Sequence, residues 1–218
     1  MDPYDVLEHG DAIVAVALQL DFFPGGTLAV PGADSVLAPA NAWMDAAADR
    51  GIPVYVVRLW HPVDHPSFRT RGGPWPLHCL QDTPGASLHP RLHVPSSAVK
   101  VALGTRLDRD QYSALEGTGL AEHLRQHGVQ RIWILGLGLD HRVRETALDA
   151  QRMGFDVHVI LDATCAIDPA GTLRALADLH AEGVTLENDD TVVFDDVDEA
   201  SRESFPASDP PAFSSRRA

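Results

Sequence analysis

Short apolar runs alternate with amphipathic stretches along most of this chain, and that alternation leaves few folds open. Residues 12–17 (AIVAVA) are continuously apolar, 53–59 (PVYVVRL) nearly so, and further runs follow at 98–103, 131–135 and 156–161. Unbroken apolar character marks strands buried on both faces, as in a parallel sheet covered by helices. Between the runs, residues 34–50, 120–127, 140–153 and 169–182 carry helical spacing. In the first of these, Val36, Leu37, Ala40, Trp43 and Met44 share a face, with Asp34 placed to cap the amino end. Gly154 stops the third, and Pro169 opens the fourth, where its missing N–H costs nothing. Residues 184–186 and 191–194 compete for the last strand. The expectation is an α/β chain folded as a three-layer α/β/α sandwich on a parallel sheet.

At 218 residues the chain is one domain of ordinary size, expected over 1–195. Eight acidic residues against the lone Arg202 fill 187–203, and 196–218 is rich in Pro and Ser, the composition of a tail without fixed structure. A net charge of −14 argues against nucleic acid, whose phosphates demand a basic face. No apolar run approaches the ~18–20 residues that cross a bilayer, and the first residues (MDPYDVLEHGD) carry no secretory pattern. Cys79 and Cys165 lie far apart and fit a reducing compartment better than a disulfide framework. A cytoplasmic protein is expected, with no membrane partner; homo-oligomerisation is left open.

Residues 60–95 have little periodicity and much Gly, Pro and His, and a loop that long in a compact domain is usually functional. Three segments carry a resemblance: LDFFPGGTLAVPGAD (20–34), HPVDHPSFRTRGGPWPLHCLQDTPGASLHP (61–90) and GLGLDHRVRETALDAQRMGFDV (136–157). Over roughly residues 11–187 the chain closely resembles the nicotinamidase/pyrazinamidase branch of the isochorismatase-like hydrolases. That likeness implies a Rossmann-like six-stranded parallel sheet. It also implies a crevice at the carboxyl ends of the strands, around 17–22, 59–65, 103–104 and 137–142.

The same likeness implies an Asp–Lys–Cys triad at three positions that here hold Ala17, Leu103 and Arg142. Lys100, three residues before Leu103, would face the other side of its strand. An arginine stays protonated and cannot act as a nucleophile. At a helix start it also needs a counter-anion, for which Asp21, Asp140 and a ligand carboxylate remain alternatives. Asp21, Asp140 and His141 are the acid/base candidates left.

The family's metal site falls on Leu59, His61, His65 and His78. With leucine in place of its aspartate, three imidazoles remain, enough in number for one zinc, iron or manganese ion. The family's ring-stacking aromatics fall on Phe22 and Trp75. Its cis peptide and oxyanion hole fall on Leu137 and Gly138, with Arg142 as an anion clamp. No organic cofactor is expected. Two functions follow from the resemblance. One is an enzyme on a small aromatic or carboxylated molecule, as a metal-assisted hydrolase or lyase rather than a cysteine amidase. The alternative is a catalytically dead relative that binds a ligand or regulates a partner.

Overall fold

The structure, a computed structural model, describes residues 1–188. Along the chain run α1 (Pro3–Val6), β1 (Asp11–Val16), α2 (Leu37–Asp49), β2 (Val54–Leu59), β3 (Val99–Leu103), α3 (Leu120–Gln126), β4 (Arg131–Leu137), α4 (Arg144–Arg152), β5 (Asp156–Cys165), α5 (Thr172–Ala181) and β6 (Thr185–Glu187). The six strands form one parallel sheet in the order β3-β2-β1-β4-β5-β6. The run at 184–186 gives β6, the last strand among the described residues; 191–194, the domain end at 195 and the tail at 196–218 lie outside the described residues. Among the described residues no helix is long and apolar enough to cross a membrane.

The reason for the unbroken apolar runs is visible in the central strands. Every residue of β1 is buried, as is all of β4 except the half-buried Arg131. The edge strand β3 leaves Val99, Lys100 and Ala102 exposed and buries only Leu103. Lys100 is the single lysine of the chain, and it faces solvent.

Beneath the sheet, Trp43 of α2 stacks on Trp133 of β4 with ring centroids 4.8 Å apart. The Trp133 indole N–H donates to Asp11 Oδ2 at 3.1 Å, and Arg131 donates to both Asp11 oxygens at 2.8 Å. Asp11 is thus a buried charge whose oxygens are fully engaged. Asp11→Asn keeps the shape but loses the charge-assisted bonds, and should cost about 2 kcal/mol. A fall in the urea midpoint at unchanged slope would measure it; an unmoved midpoint would show the pair to be idle.

Two expected boundaries shift. Asp34 does not cap α2: it sits inside a 3-10 turn (Ala33–Val36), and α2 begins at Leu37 without a side-chain cap. The helix expected over 140–153 opens with a π-helical turn (Leu139–Val143) before α4. Strands β4 and β5 also run further than their apolar runs, with an irregularity between Ile134 and Gly136.

The chain leaves β1 toward β2 and β3 on one side, then returns to β4 on the other. Ligand crevices of doubly wound sheets form at such a reversal, beyond the carboxyl ends of the strands. Here β1 and β4 approach so closely that a Cβ at Gly136 would fall 2.0 Å from Val16 O, at φ +124°. Only glycine lets the two strands meet there.

A narrow pocket beside a buried histidine cluster

At the exit of β1 the chain turns through Ala17, at φ 56°, while its N–H still bonds Val57 O at 2.9 Å. Gln19, fully buried, then ties three segments together. Its amide bonds both the N–H and the C=O of Leu59, at 2.6 and 2.7 Å, and donates to Ala86 O at 2.8 Å. Asp21 accepts from Cys79 N at 2.6 Å and Thr27 N at 3.3 Å. A Cβ at Gly85 would fall 2.2 Å from Asp21 Oδ2, so the 60–90 loop closes directly over this carboxylate.

These ties build a pocket whose floor and sides are Ala17, Phe22, Leu59, Leu137 and Gly138, with Leu28 and Ile167 at its rim. Trp75, His78, His141 and Arg142 complete it around a cavity of about 10 Å³, room for about one water, so as folded the walls stand nearly closed. The walls contain no cysteine, aspartate or lysine. Cys79 is fully buried behind them, and burial pushes its thiol well up. Burial also raises the Cys165 thiol, which lies 3.5 Å from Gly32 O.

Of the three acid/base candidates, only His141 faces the pocket. Asp140 accepts from Ile167 N at 2.7 Å and Asp168 N at 2.9 Å, so it holds the segment after β5 against the π turn. Asp21 serves the loop instead. Neither is paired with Arg142, which removes the two protein counter-anions among the three alternatives. His141 lies against Trp75 and Tyr112, with centroids 5.4 and 5.1 Å away. Burial, then the Arg142 charge, lowers its pKa to about 4, so it is neutral near pH 7.

At the position of the expected oxyanion hole one amide is engaged. Among the described residues no peptide bond is cis, and the Gly138 N–H is spent on Cys165 O at 2.8 Å. The longer β5 causes this: it brings Cys165 beside Leu137 in the sheet. Gly138 sits in the left-handed region (φ 85°) and accepts from His141 N and Val143 N, which starts the π turn.

His61, His65 and His78 are brought together as expected. Ring centroids are 4.1 Å apart for His61 and His65 and 5.0 Å for His61 and His78, with Phe68 packed against all three. His61 Nδ1 bonds Gly104 O at 2.8 Å, and His78 Nδ1 bonds Pro76 O at 2.9 Å. A carbonyl can only accept, so both rings carry their proton on Nδ1 and a lone pair on Nε2. His65 Nδ1 lies 2.7 Å from Ser67 Oγ, which can donate or accept, and 3.3 Å from the Ser67 N–H, while its Nε2 is 3.9 Å from Asp110 Oδ1. Burial, ahead of neighbouring positive charge, lowers the pKa of His61 to about 2, and burial is likewise the first cause for His65 and His78.

Whether this set fits a divalent metal can be tested on its donors. In favour, His61 Nε2, His65 Nε2 and Asp110 Oδ2 are buried without a hydrogen-bond partner. Against it, the apolar Leu59, 1% exposed, supplies no ligand where the resemblance expects a carboxylate. Rings sharing a tetrahedral zinc also stand roughly 5 Å apart, given the usual metal–nitrogen distance, and His61 and His65 are closer, at 4.1 Å. Among the described residues no group of three or more His, Cys, Asp or Glu is arranged to hold a metal. As folded, the donors do not fit.

What lies beside the histidines is Arg142, only 5% exposed. Its guanidinium donates to Gln111 O, approaches Asp110 Oδ1 at 3.5 Å, and sits 5.7 Å from the Tyr112 ring centroid. Residues 110–112 therefore form the clamp that the sequence reading did not find. Gln111 is itself fixed: its side chain donates to Glu116 O at 2.6 Å and accepts from Gly104 N at 3.2 Å. The pocket thus presents neutral imidazoles, aromatic and aliphatic walls, and one permanent cation.

Comparison with known proteins places this architecture. The Isochorismatase domain matches residues 11–189. The nicotinamidase of Escherichia coli K12 is 35% identical over 198 residues, covering 80% of this chain and 93% of its own length. Among solved structures, the pyrazinamidase of Pyrococcus horikoshii in complex with zinc superposes with a TM-score of 0.79 at 41% identity, covering 81% of this chain and 98% of its own. PnC1 of L. infantum in complex with nicotinate gives a TM-score of 0.75 at 36% identity, covering 81% and 91%.

Proposed function

This chain belongs to the isochorismatase domain family, and on that premise we propose that it binds a small planar carboxylate without amide-hydrolysing chemistry. The observation that carries the reading is the buried Arg142 guanidinium in the pocket wall, at the helix start where the family resemblance expects a cysteine. A guanidinium cannot attack a carbonyl, but it pairs with a carboxylate in planar geometry. Nothing else in the wall replaces the nucleophile. Ala17 offers no acid, Leu103 no amine, and the solvent-facing Lys100 cannot substitute for it.

The remaining features support recognition. Phe22 and Trp75 supply π faces for a flat ring. His78 and His141 line the same space as neutral hydrogen-bonding groups. Arg142 has N–H groups beyond those committed to Asp110 and Gln111. The ligand-binding alternative is therefore preferred to the metal-assisted enzyme, whose ion the donor set does not accommodate.

Purified full-length protein given nicotinamide or pyrazinamide should release no ammonia above background, while nicotinate should bind measurably by calorimetry. Arg142→Ala should weaken nicotinate by about 1.5–3 kcal/mol, the worth of a charge-assisted hydrogen bond, and leave the neutral amide nearly unchanged. Sustained ammonia release would overturn the reading. Equal losses for acid and amide would show that Arg142 only shapes the wall.

A further inference from the structure

We infer that the buried Arg142 guanidinium stands in for a metal ion in this chain. It keeps divalent cations off the His61–His65–His78 cluster and supplies the positive charge that holds an anionic ring substituent. The second half rests on the ligand reading above; the first half stands on geometry alone.

Four observations combine. First, one carboxylate oxygen joins the two groups: Asp110 Oδ1 lies 3.5 Å from Arg142 Nη2 and 3.9 Å from His65 Nε2. The guanidinium and the imidazole cluster are thus neighbours across a single atom, deep enough that water screens them little. Second, the negative charge at hand is already committed. Asp110 neutralises Arg142, and both Asp21 oxygens accept backbone N–H groups. Third, Leu59 puts an apolar, 1% exposed side chain at the end of β2 where the resemblance expects a carboxylate ligand. Fourth, His61 and His65 stack with ring centroids 4.1 Å apart, closer than two rings sharing one tetrahedral ion. A divalent ion entering here would meet a permanent cation, two rings stacked too closely to share it, and a carboxylate already paired with Arg142.

The arrangement also explains why three imidazoles persist. They are neutral, two are anchored through Nδ1, and together they fill the space behind the pocket against Phe68. The Arg142 charge is felt by all three, and as neutral rings they add no competing charge.

The native full-length protein, incubated with excess zinc sulfate and desalted, should retain no zinc by elemental analysis. The double variant Leu59→Asp/Arg142→Ala, which restores a carboxylate and frees Asp110, should retain close to one zinc per chain. Stoichiometric zinc on the native protein would overturn the inference. So would a double variant that folds, by circular dichroism, yet takes up none. For the anion half the probe is nicotinate, titrated into protein kept in chelator. Binding should survive the chelator and fall roughly ten- to hundredfold in Arg142→Ala; abolition by the chelator would overturn it. If Arg142→Ala does not fold, the chelator arm with native protein still decides. Failure of nicotinate to bind at all would sink the ligand reading, while the zinc arms would still decide the exclusion of metal.

Discussion

Acidifying the chelator-treated protein from roughly pH 7.5 to about pH 5 should remove about 4 kcal/mol of folding stability through two histidines alone. His61 and His141 have an ordinary value of 6.5, lowered in the fold to about 2 and about 4. Both are lowered first by burial. Above the unfolded value neither state binds the proton, so stability is unaffected. Below it the unfolded chain takes up a proton that the folded chain refuses, and stability falls as the pH drops. The loss from His141 levels off near its folded value and that from His61 continues lower, so each contributes roughly 2 kcal/mol at about pH 5. Denaturant midpoints across this range measure the slope. His141→Gln should remove about half of it, because glutamine does not titrate. A flat profile would mean that these rings are wet or already charged.

Truncating Asp110 should be the most damaging single change at the site. Asp110→Ala strands the Arg142 guanidinium, 5% exposed, with its charge uncompensated. Removing one partner of a buried pair costs about 3–5 kcal/mol. Replacing both partners with apolar groups is far milder, so Asp110→Ala/Arg142→Leu should recover most of the loss. Chemical denaturation of the three proteins closes the cycle. A cost below about 1 kcal/mol for the single variant would show that solvent reaches the pair.

The pattern of successes in reading the chain has a physical basis. Phe22, Trp75, Leu137, Gly138 and Arg142 were expected in one pocket and line it together, and His61, His65 and His78 were expected as one cluster and are one. All of these sit in segments whose local spacing is distinctive. The partners were not legible. Asp21 and Asp140 stood among the acid/base candidates because a carboxylate that accepts backbone N–H groups leaves no trace in the order of residues. Asp110 and Gln111 lie in 104–118, a stretch without periodicity, and reach Arg142 from about thirty positions away. The partner of the Gly138 N–H was hidden for a related reason: the extra length of β5 decides it, and β5 continues past the end of its apolar run.

Taken by itself, the order of residues determined the parallel α/β sheet, because burial on both faces forces unbroken apolar runs. It also determined that an arginine stands at position 142, because side-chain identity needs no coordinates to be read. Tertiary structure alone decided which charge neutralises Arg142, which ring nitrogens keep a lone pair, and how little room the pocket leaves. Those properties depend on distances between segments far apart in the chain, and on how completely water is shut out between them.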